Sequence, residues 1–313
     1  MKRVVSVSLG SKKGDKTAVA TFLGEEFELQ RVSSGGSLEK AAEMIRDLDG
    51  KVDAITLGGI DRYLVAGNRK YVIRDAERMI RYVKQTPVVD GSGVKNTLER
   101  QTVLYLQEHG IVDFGSKNAL VMCAVDRFGM GEAIYELAKS TVFGDLMFNV
   151  GVPIPLHSWK AVQLIGRLFL PIVVRLPFAW LYPTGEKQDK ITPKHEKYFR
   201  EADVIAGDYK IIGRYMPPPE SGAMAGKTVI TNTLTPRDRE NLRVRGVEMV
   251  VTSTFEFEGR AFGTNLVEGV LITLAGKRPE DMTSDDYLDL IKKLEWKPNI
   301  QYLQKEKVAG ISS

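Results

Sequence analysis

Short apolar runs alternate with amphipathic stretches along most of the chain, which predicts an α/β protein. Arg3–Leu9 reads as a first strand, leading into the polar loop Gly10–Lys16, which lacks the spacing of a P-loop. Ala18–Leu23 and Glu26–Val32 read as two strands around Gly24-Glu25, a hairpin signal. Leu38, Ala41, Ala42, Ile45 and Leu48 have helical spacing, with Ser37 as N-cap. Val52–Leu57 is the next strand and runs into Gly58-Gly59-Ile60-Asp61. Tyr63–Ala66 and Lys70–Ile73 flank Gly67-Asn68 as a second hairpin. A helix over Asp75–Val83, a strand over Thr86–Val89 and a helix over Leu98–Gln107 complete the first part.

The second part starts from Asn118–Glu132. The apolar run Ala119–Val125 breaks at Asp126-Arg127-Phe128 and turns through Gly129-Met130-Gly131, and the pattern then predicts a helix over Glu132–Lys139. Strands follow at Thr141–Phe143, Ala202–Ala206, Thr228–Thr231 and Glu248–Val251, and helices at Pro236–Arg245, Thr264–Ala275 and Asp281–Leu294. The expected architecture is a smaller N-terminal α/β domain over residues 1–112, followed by a Rossmann-like parallel-sheet domain over residues 113–313.

Charge narrows the partners. A net charge of +4 over 313 residues does not supply the clustered cations of a nucleic-acid binder. Cys123 is the one cysteine and sits in an apolar run, so a core role in a reducing, cytoplasmic setting is expected. His109, His157 and His195 lack metal-ligand spacing, so no metal is expected. Met1-Lys2-Arg3 runs straight into a short apolar segment, without the pattern of a targeting peptide. The long apolar stretch 162–182 is interrupted by Arg167, Pro171, Arg175 and Pro177, which argues against stable membrane insertion. It reads as buried helix and loop, as the contact of a homodimer, or as a membrane-surface element.

Candidate chemistry falls where strands end. Asp90-Gly91-Ser92-Gly93-Val94-Lys95-Asn96-Thr97 gathers a carboxylate, hydroxyls, an ammonium and an amide between a strand and a helix. Lys95 and Asp90 are the candidate acid–base residues there, with Ser92, Asn96 and Thr97 as substrate contacts. The bland alternative is a capped turn. Asp126, Gly129, Gly131 and Glu132 suit either a nucleotide-binding turn or an ordinary strand-to-helix turn. Asp145, at the end of the following strand, lies where dinucleotide folds carry a ribose-binding acid. Thr231-Asn232, Thr252 with Thr254, and Thr264-Asn265 also follow strands. With parallel strands, all three clusters would share the carboxyl edge with Gly129, and Glu268 could face the same cleft.

Four segments, VDGSGVKNTLER (Val89–Arg100), VDRFGMGEA (Val125–Ala133), FGDLMF (Phe143–Phe148) and FGTNLVEGVL (Phe262–Leu271), resemble the bacterial family of quinate 5-dehydrogenases. The resemblance implies NAD- or NADP-linked oxidation of a cyclic polyol acid such as quinate or shikimate. The Asn-Val-Thr-x-Pro-x-Lys segment and the three-glycine loop of shikimate dehydrogenases are absent, and Lys95-Asn96-Thr97 is only a loose echo of the first. The resulting expectation is an oxidoreductase with a small-molecule substrate. The alternatives are a non-redox nucleotide- or metabolite-binding protein, and a cleft transferase or lyase.

Overall fold

The computed structural model describes residues 1–66, 69–177, 191–254, 256–257, 260–261 and 263–304. The chain opens with β1 (Lys2–Ser8), β2 (Lys16–Phe22) and β3 (Glu25–Ser33). Leu23 and Gly24 turn the β2–β3 hairpin with φ of 51° and 82°, the left-handed pair that a two-residue hairpin loop demands. α1 (Leu38–Leu48) begins where the Ser37 side chain accepts the Lys40 N–H. β4 (Ala54–Gly58), the hairpin strands β5 (Tyr63–Ala66) and β6 (Arg69–Val72), α2 (Arg74–Ile80), β7 (Val88–Val89) and α3 (Ser92–Glu108) follow. The Gly67-Asn68 turn lies outside the described residues.

Next come β8 (Asn118–Val121), α4 (Phe128–Leu137), β9 (Ser140–Phe143), α5 (Trp159–Val173), α6 (Glu196–Glu201), β10 (Val204–Ala206) and α7 (Tyr209–Tyr215). β11 (Thr228–Thr231), α8 (Pro236–Arg243), β12 (Met249–Thr252), β13 (Glu256–Phe257) and β14 (Arg260–Ala261) precede α9 (Thr264–Ala275), α10 (Ser284–Lys293) and β15 (Asn299–Tyr302). Reciprocal capping boxes start α8, through Thr235 and Asp238, and α10, through Thr283 and Asp286.

These elements form two compact units whose segments interleave. One holds Met1–Leu98, Leu164–Gln188 and Phe257–Trp296; the other holds Glu99–Gln163, Asp189–Glu256 and Lys297–Ser313. The chain changes unit within α3 and again within α5.

The first unit carries a sheet of order β2-β3-β1-β4-β7, parallel except for the edge strand β2. The period of two sorts its side chains. Val7, Leu9, Ile55 and Leu57 join Ala41 and Ile45 of α1 and Ala76 and Met79 of α2 in one core. Val4, Ser6 and Thr56 alternate with these and meet α9 instead. There Asn265 Nδ2 donates to Ser6 Oγ at 2.8 Å and to Thr56 Oγ1 at 2.9 Å. The Thr264-Asn265 cluster is thus built into this unit and does not extend the edge of the second sheet.

The second unit carries a sheet of order β15-β12-β11-β10-β8-β9, parallel except for β15. β8 lies between β9 and β10, so the strand order reverses beside it, as in doubly wound sheets. Leu120, Phe148, Phe199, Ile205, Ile212, Val229, Leu242 and Val250 form its core. The protein is α/β with parallel-rich sheets.

The stretch read as buried is partly the opposite. α5 turns Leu170 and Val174 inward but leaves Leu164, Leu168, Phe169 and Ile172 47–62% exposed. Residues 178–190 lie outside the described residues. Among the described residues no helix is long and apolar enough to cross a membrane.

At Gly269 a Cβ would come 2.6 Å from Val4 Cγ1 and 2.7 Å from Thr56 Cγ2. Both neighbours are β-branched and have little room to turn. Gly269→Ala should therefore lower the unfolding free energy, by about 1–3 kcal/mol, despite the better helix propensity of alanine. Urea denaturation would show this; a gain in stability would mean that α9 packs more loosely on β1 and β4.

Candidate functional site

β4 and β7 are adjacent parallel strands, with Ile55 opposite Val88, so the segments that leave their carboxyl ends emerge side by side. Asp61 follows β4 and α3 follows β7. Lys95, near the start of α3, reaches across to Asp61, its Nζ 2.7 Å from Oδ1, with side chains only 11% and 17% exposed. This is an ammonium and a carboxylate held together in a largely dry place at a sheet's carboxyl edge.

Asp90 is not the partner of Lys95. Its Oδ1 accepts the Ser92 N–H at 3.0 Å. Its Oδ2 accepts the Arg62 N–H at 2.5 Å, the Tyr63 N–H at 3.3 Å and the Ser92 hydroxyl at 2.6 Å. Asp90 therefore pins the segment after β4 to the start of α3, and Ser92 serves the same clamp. With these carboxylate acceptors α3 begins at Ser92, not at Leu98. Lys95, Asn96 and Thr97 thus lie on the helix rather than in a turn. The Thr97 hydroxyl donates back to the Gly93 carbonyl at 2.9 Å, and Asn96 is half-buried.

A second carboxylate completes the cap. Glu268 of α9 accepts the Gly91 N–H at 2.5 Å, the Gly93 N–H at 3.1 Å and the Tyr287 hydroxyl at 2.7 Å. Burial, then the charge of Asp90, pushes its carboxyl up to about 7. Burial and Glu268 likewise raise the Tyr287 phenol. A Cβ at Gly93 would come 2.5 Å from both Glu268 Oε1 and the Tyr287 hydroxyl. Asp61 and Tyr287 were not picked out from sequence. The one signal for Asp61 was the Gly58-Gly59 pair just before it.

In the second unit the loop after β8 centres on Arg127, which is 2% exposed. Its guanidinium binds Glu99, approaches Asp208 to 2.6 Å and Asp126 to 3.2 Å. Burial opposes ionisation of Asp208, but Arg127 holds its carboxyl below the ordinary range. Asn232 Nδ2 donates to Asp208 at 3.2 Å, and Thr231 Oγ1 donates to Asn232 Oδ1 at 3.1 Å. The Thr254 hydroxyl donates to the Asn232 carbonyl at 2.7 Å and lies 3.0 Å from Thr233 Oγ1. The segments that follow β8, β10, β11 and β12 are thereby joined along one carboxyl edge. Thr252 is buried at the end of β12.

The residues assigned to a dinucleotide take other places. Gly129 and Gly131 lie inside α4, which begins at Phe128 and not at Glu132. A Cβ at Gly131 would come 3.1 Å from Ala124 Cβ, so this glycine serves close packing of the helix on the loop. Glu132 pairs with Arg100 at 3.2 Å. Asp145 is buried and accepts the Val125 N–H at 3.0 Å, so it braces the loop rather than facing a ribose. Burial raises its carboxyl to about 6, and burial with Asp145 and Asp126 raises the Cys123 thiol. A cofactor diphosphate at the start of α4 would meet Asp126 and Asp208, so the residues there do not fit it. Asp208 and Asn232 have the chemistry to hold vicinal hydroxyls.

Two measurements probe these clusters. Below pH 7 native Glu268 keeps a proton that the unfolded chain, with a carboxyl near 4.5, has lost. Native protein then binds more protons, so stability should fall as pH rises from 4.5 to 7. The contribution of this one group is about 3 kcal/mol. Glu268→Gln should remove that slope in urea titrations; an unchanged slope would refute the assignment. Arg127→Met should cost about 3–5 kcal/mol by removing the buried cation that Glu99, Asp126 and Asp208 share, and adding Glu99→Gln should restore part of the loss.

No curated protein matches the sequence. Among solved structures, an ABC transporter solute binding protein from Agrobacterium vitis with bound allitol is 12% identical, with 97% of this chain and 96% of that one covered and a TM-score of 0.38. A periplasmic solute binding protein from Actinobacillus succinogenes with bound D-allose is 10% identical, with 98% and 99% covered and a TM-score of 0.39. The NAD-dependent malic enzyme from Thermotoga maritima is 12% identical, with 93% and 84% covered and a TM-score of 0.37. Residues 3–90 match the domain of unknown function DUF8753. Residues 93–303, more than half of the chain, match the domain of unknown function DUF8754, and the chain belongs to that family.

Proposed function

We propose that this protein is an enzyme that moves a proton to or from a hydroxyl or carbonyl of a small polyhydroxylated acid, with Lys95 as the acid–base group and Asp61 as its orienting counter-ion. The observation that carries the reading is the Lys95–Asp61 pair, 2.7 Å apart and largely buried between two segments that leave adjacent parallel strands. An amine so placed can take a hydroxyl proton as the hydride leaves the same carbon for an acceptor and the carbonyl forms, and return the proton in reverse, a contribution of about 10²–10⁴ in rate. Asp61 fixes the direction in which the amine points. In the most specific form of the reading, the substrate is a cyclic polyol acid such as quinate or shikimate. The enzyme would then be an oxidoreductase, with NAD or NADP supplying the hydride acceptor from a place other than the start of α4, whose residues do not fit a diphosphate. The resemblance of Val89–Arg100 and Phe262–Leu271 to quinate 5-dehydrogenases supports that form.

The carboxylates at the start of α4 favour a second reading, a non-redox protein for a hydroxyl-rich metabolite. Melting temperatures with NAD, NADH, NADP, NADPH, quinate and shikimate separate the two, because a ligand selective for the native state raises the midpoint. A rise with one nucleotide pair and with a polyol acid, followed by turnover, supports the dehydrogenase. Lys95→Met and Asp61→Asn should then lower kcat by about 10²-fold or more while sparing nucleotide binding. A rise with a polyol acid alone, without turnover, selects the second reading. No rise with any of the six, or full turnover in Lys95→Met, overturns the proposal.

A further inference from the structure

α5 is apolar on both sides. Leu170 and Val174 are 4% and 7% exposed, and Val174 joins the core of the first unit. Leu164, Leu168 and Ile172, four residues apart, form one stripe on the outward side and are 57%, 59% and 62% exposed, with Phe169 beside them at 47%. Single exposed leucines are ordinary, but a continuous stripe of large aliphatic side chains marks a surface that meets something apolar.

The charge around the stripe says what. Arg167 flanks it and Arg175 follows it, both exposed. Arg74, whose N–H donates to the Val174 carbonyl, is paired with Asp75 at 3.9 Å and leaves Arg167 and Arg175 as the cations of this face. Residues 146–185 contain no Asp or Glu, although the chain as a whole has 40 acidic residues in 313. At that average about one residue in eight would be acidic, so a run of this length without one leaves the cations of α5 without a local counter-charge in sequence. A second copy docked by twofold symmetry would set the same cationic, acid-free helix against itself, at a cost in like-charge repulsion. A surface that is apolar below and anionic above satisfies both features. Helices that lie in a membrane interface have this combination of aliphatic stripe and flanking arginines.

We infer that the exposed face of α5 is a peripheral membrane-binding element that lies on anionic phospholipid, with Leu164, Leu168 and Ile172 among the acyl chains and Arg167 and Arg175 at the headgroups. The helix is too short to span a bilayer, so the attachment is reversible and superficial.

The test is sedimentation of the full chain with vesicles of phosphatidylcholine alone or mixed with phosphatidylglycerol, at low and high salt. The chain should sediment with the mixed vesicles and not with phosphatidylcholine, and salt should release it. Arg167→Gln with Arg175→Gln should weaken binding about ten- to thirty-fold, from two lost cations. Leu168→Gln with Ile172→Gln should abolish it. Both pairs are exposed, so melting temperature and circular dichroism should stay unchanged, which separates lost binding from lost folding. The salt dependence needs no variant at all. No binding to either vesicle overturns the proposal, as does equal binding to both. A dimer in solution that Leu168→Gln with Ile172→Gln dissociates also overturns it, in favour of a second copy.

Discussion

The arrangement of the first unit depends on the buried carboxylate of Glu268. It accepts two backbone N–H groups at the start of α3 and the hydroxyl of Tyr287. Those N–H groups have no partner within the helix itself, and left unbonded in the interior each would cost on the order of 1–3 kcal/mol. One side chain of α9 therefore decides where α3 begins, and so where Lys95 stands opposite Asp61. Asp90 does the same from the other side by clamping the Arg62 and Tyr63 backbone. Two neighbouring carboxylates act as acceptors for one helix start, and their mutual repulsion helps to raise Glu268. Gly93 leaves the space in which both Glu268 and Tyr287 fit.

The two carboxyl edges differ in chemistry. At the edge of the first sheet the Lys95 amine meets the Asp61 carboxylate, with Asp90 and Glu268 holding the backbone beside them. At the edge of the second, the Arg127 guanidinium meets Glu99, Asp126 and Asp208, and the charge of Lys210 also acts on Asp208. Sheet topology thus gathers polar and charged side chains at strand ends in both units, but with different local ions at each edge.

Local structure was legible because its causes are local. The helical spacing from Leu38 with Ser37 before it, and the hairpin around Gly24, depend on residues a few positions apart. The start of α3 was misplaced by six residues because one of its caps, Glu268, is 175 positions from Gly93. Gly129 and Gly131 looked like a ligand-binding turn because a glycine needed for close packing and one needed for a tight turn read alike. Lys95 stands out in the sequence as a cation between a strand and a helix, but Asp61 is 34 residues away, and only the pairing of β4 with β7 brings them together. The buried role of Asp145 followed from a contact with the loop 20 residues before it, not from its position after a strand.

The interleaving of the two units bears on how the chain is made. Sheet β2-β3-β1-β4-β7 is assembled from the first 89 residues, yet α9, which covers one of its faces, begins only at Thr264. During synthesis that face waits in water while the whole second sheet but β15 is translated. It carries Ser6, Ser8 and Thr56 among its central positions, so the unfinished surface offers hydroxyls instead of a continuous aliphatic sheet. Asn265 later takes up two of those hydroxyls. The polar residues under α9 therefore act first as protection for a nascent intermediate and then as the lock that closes it.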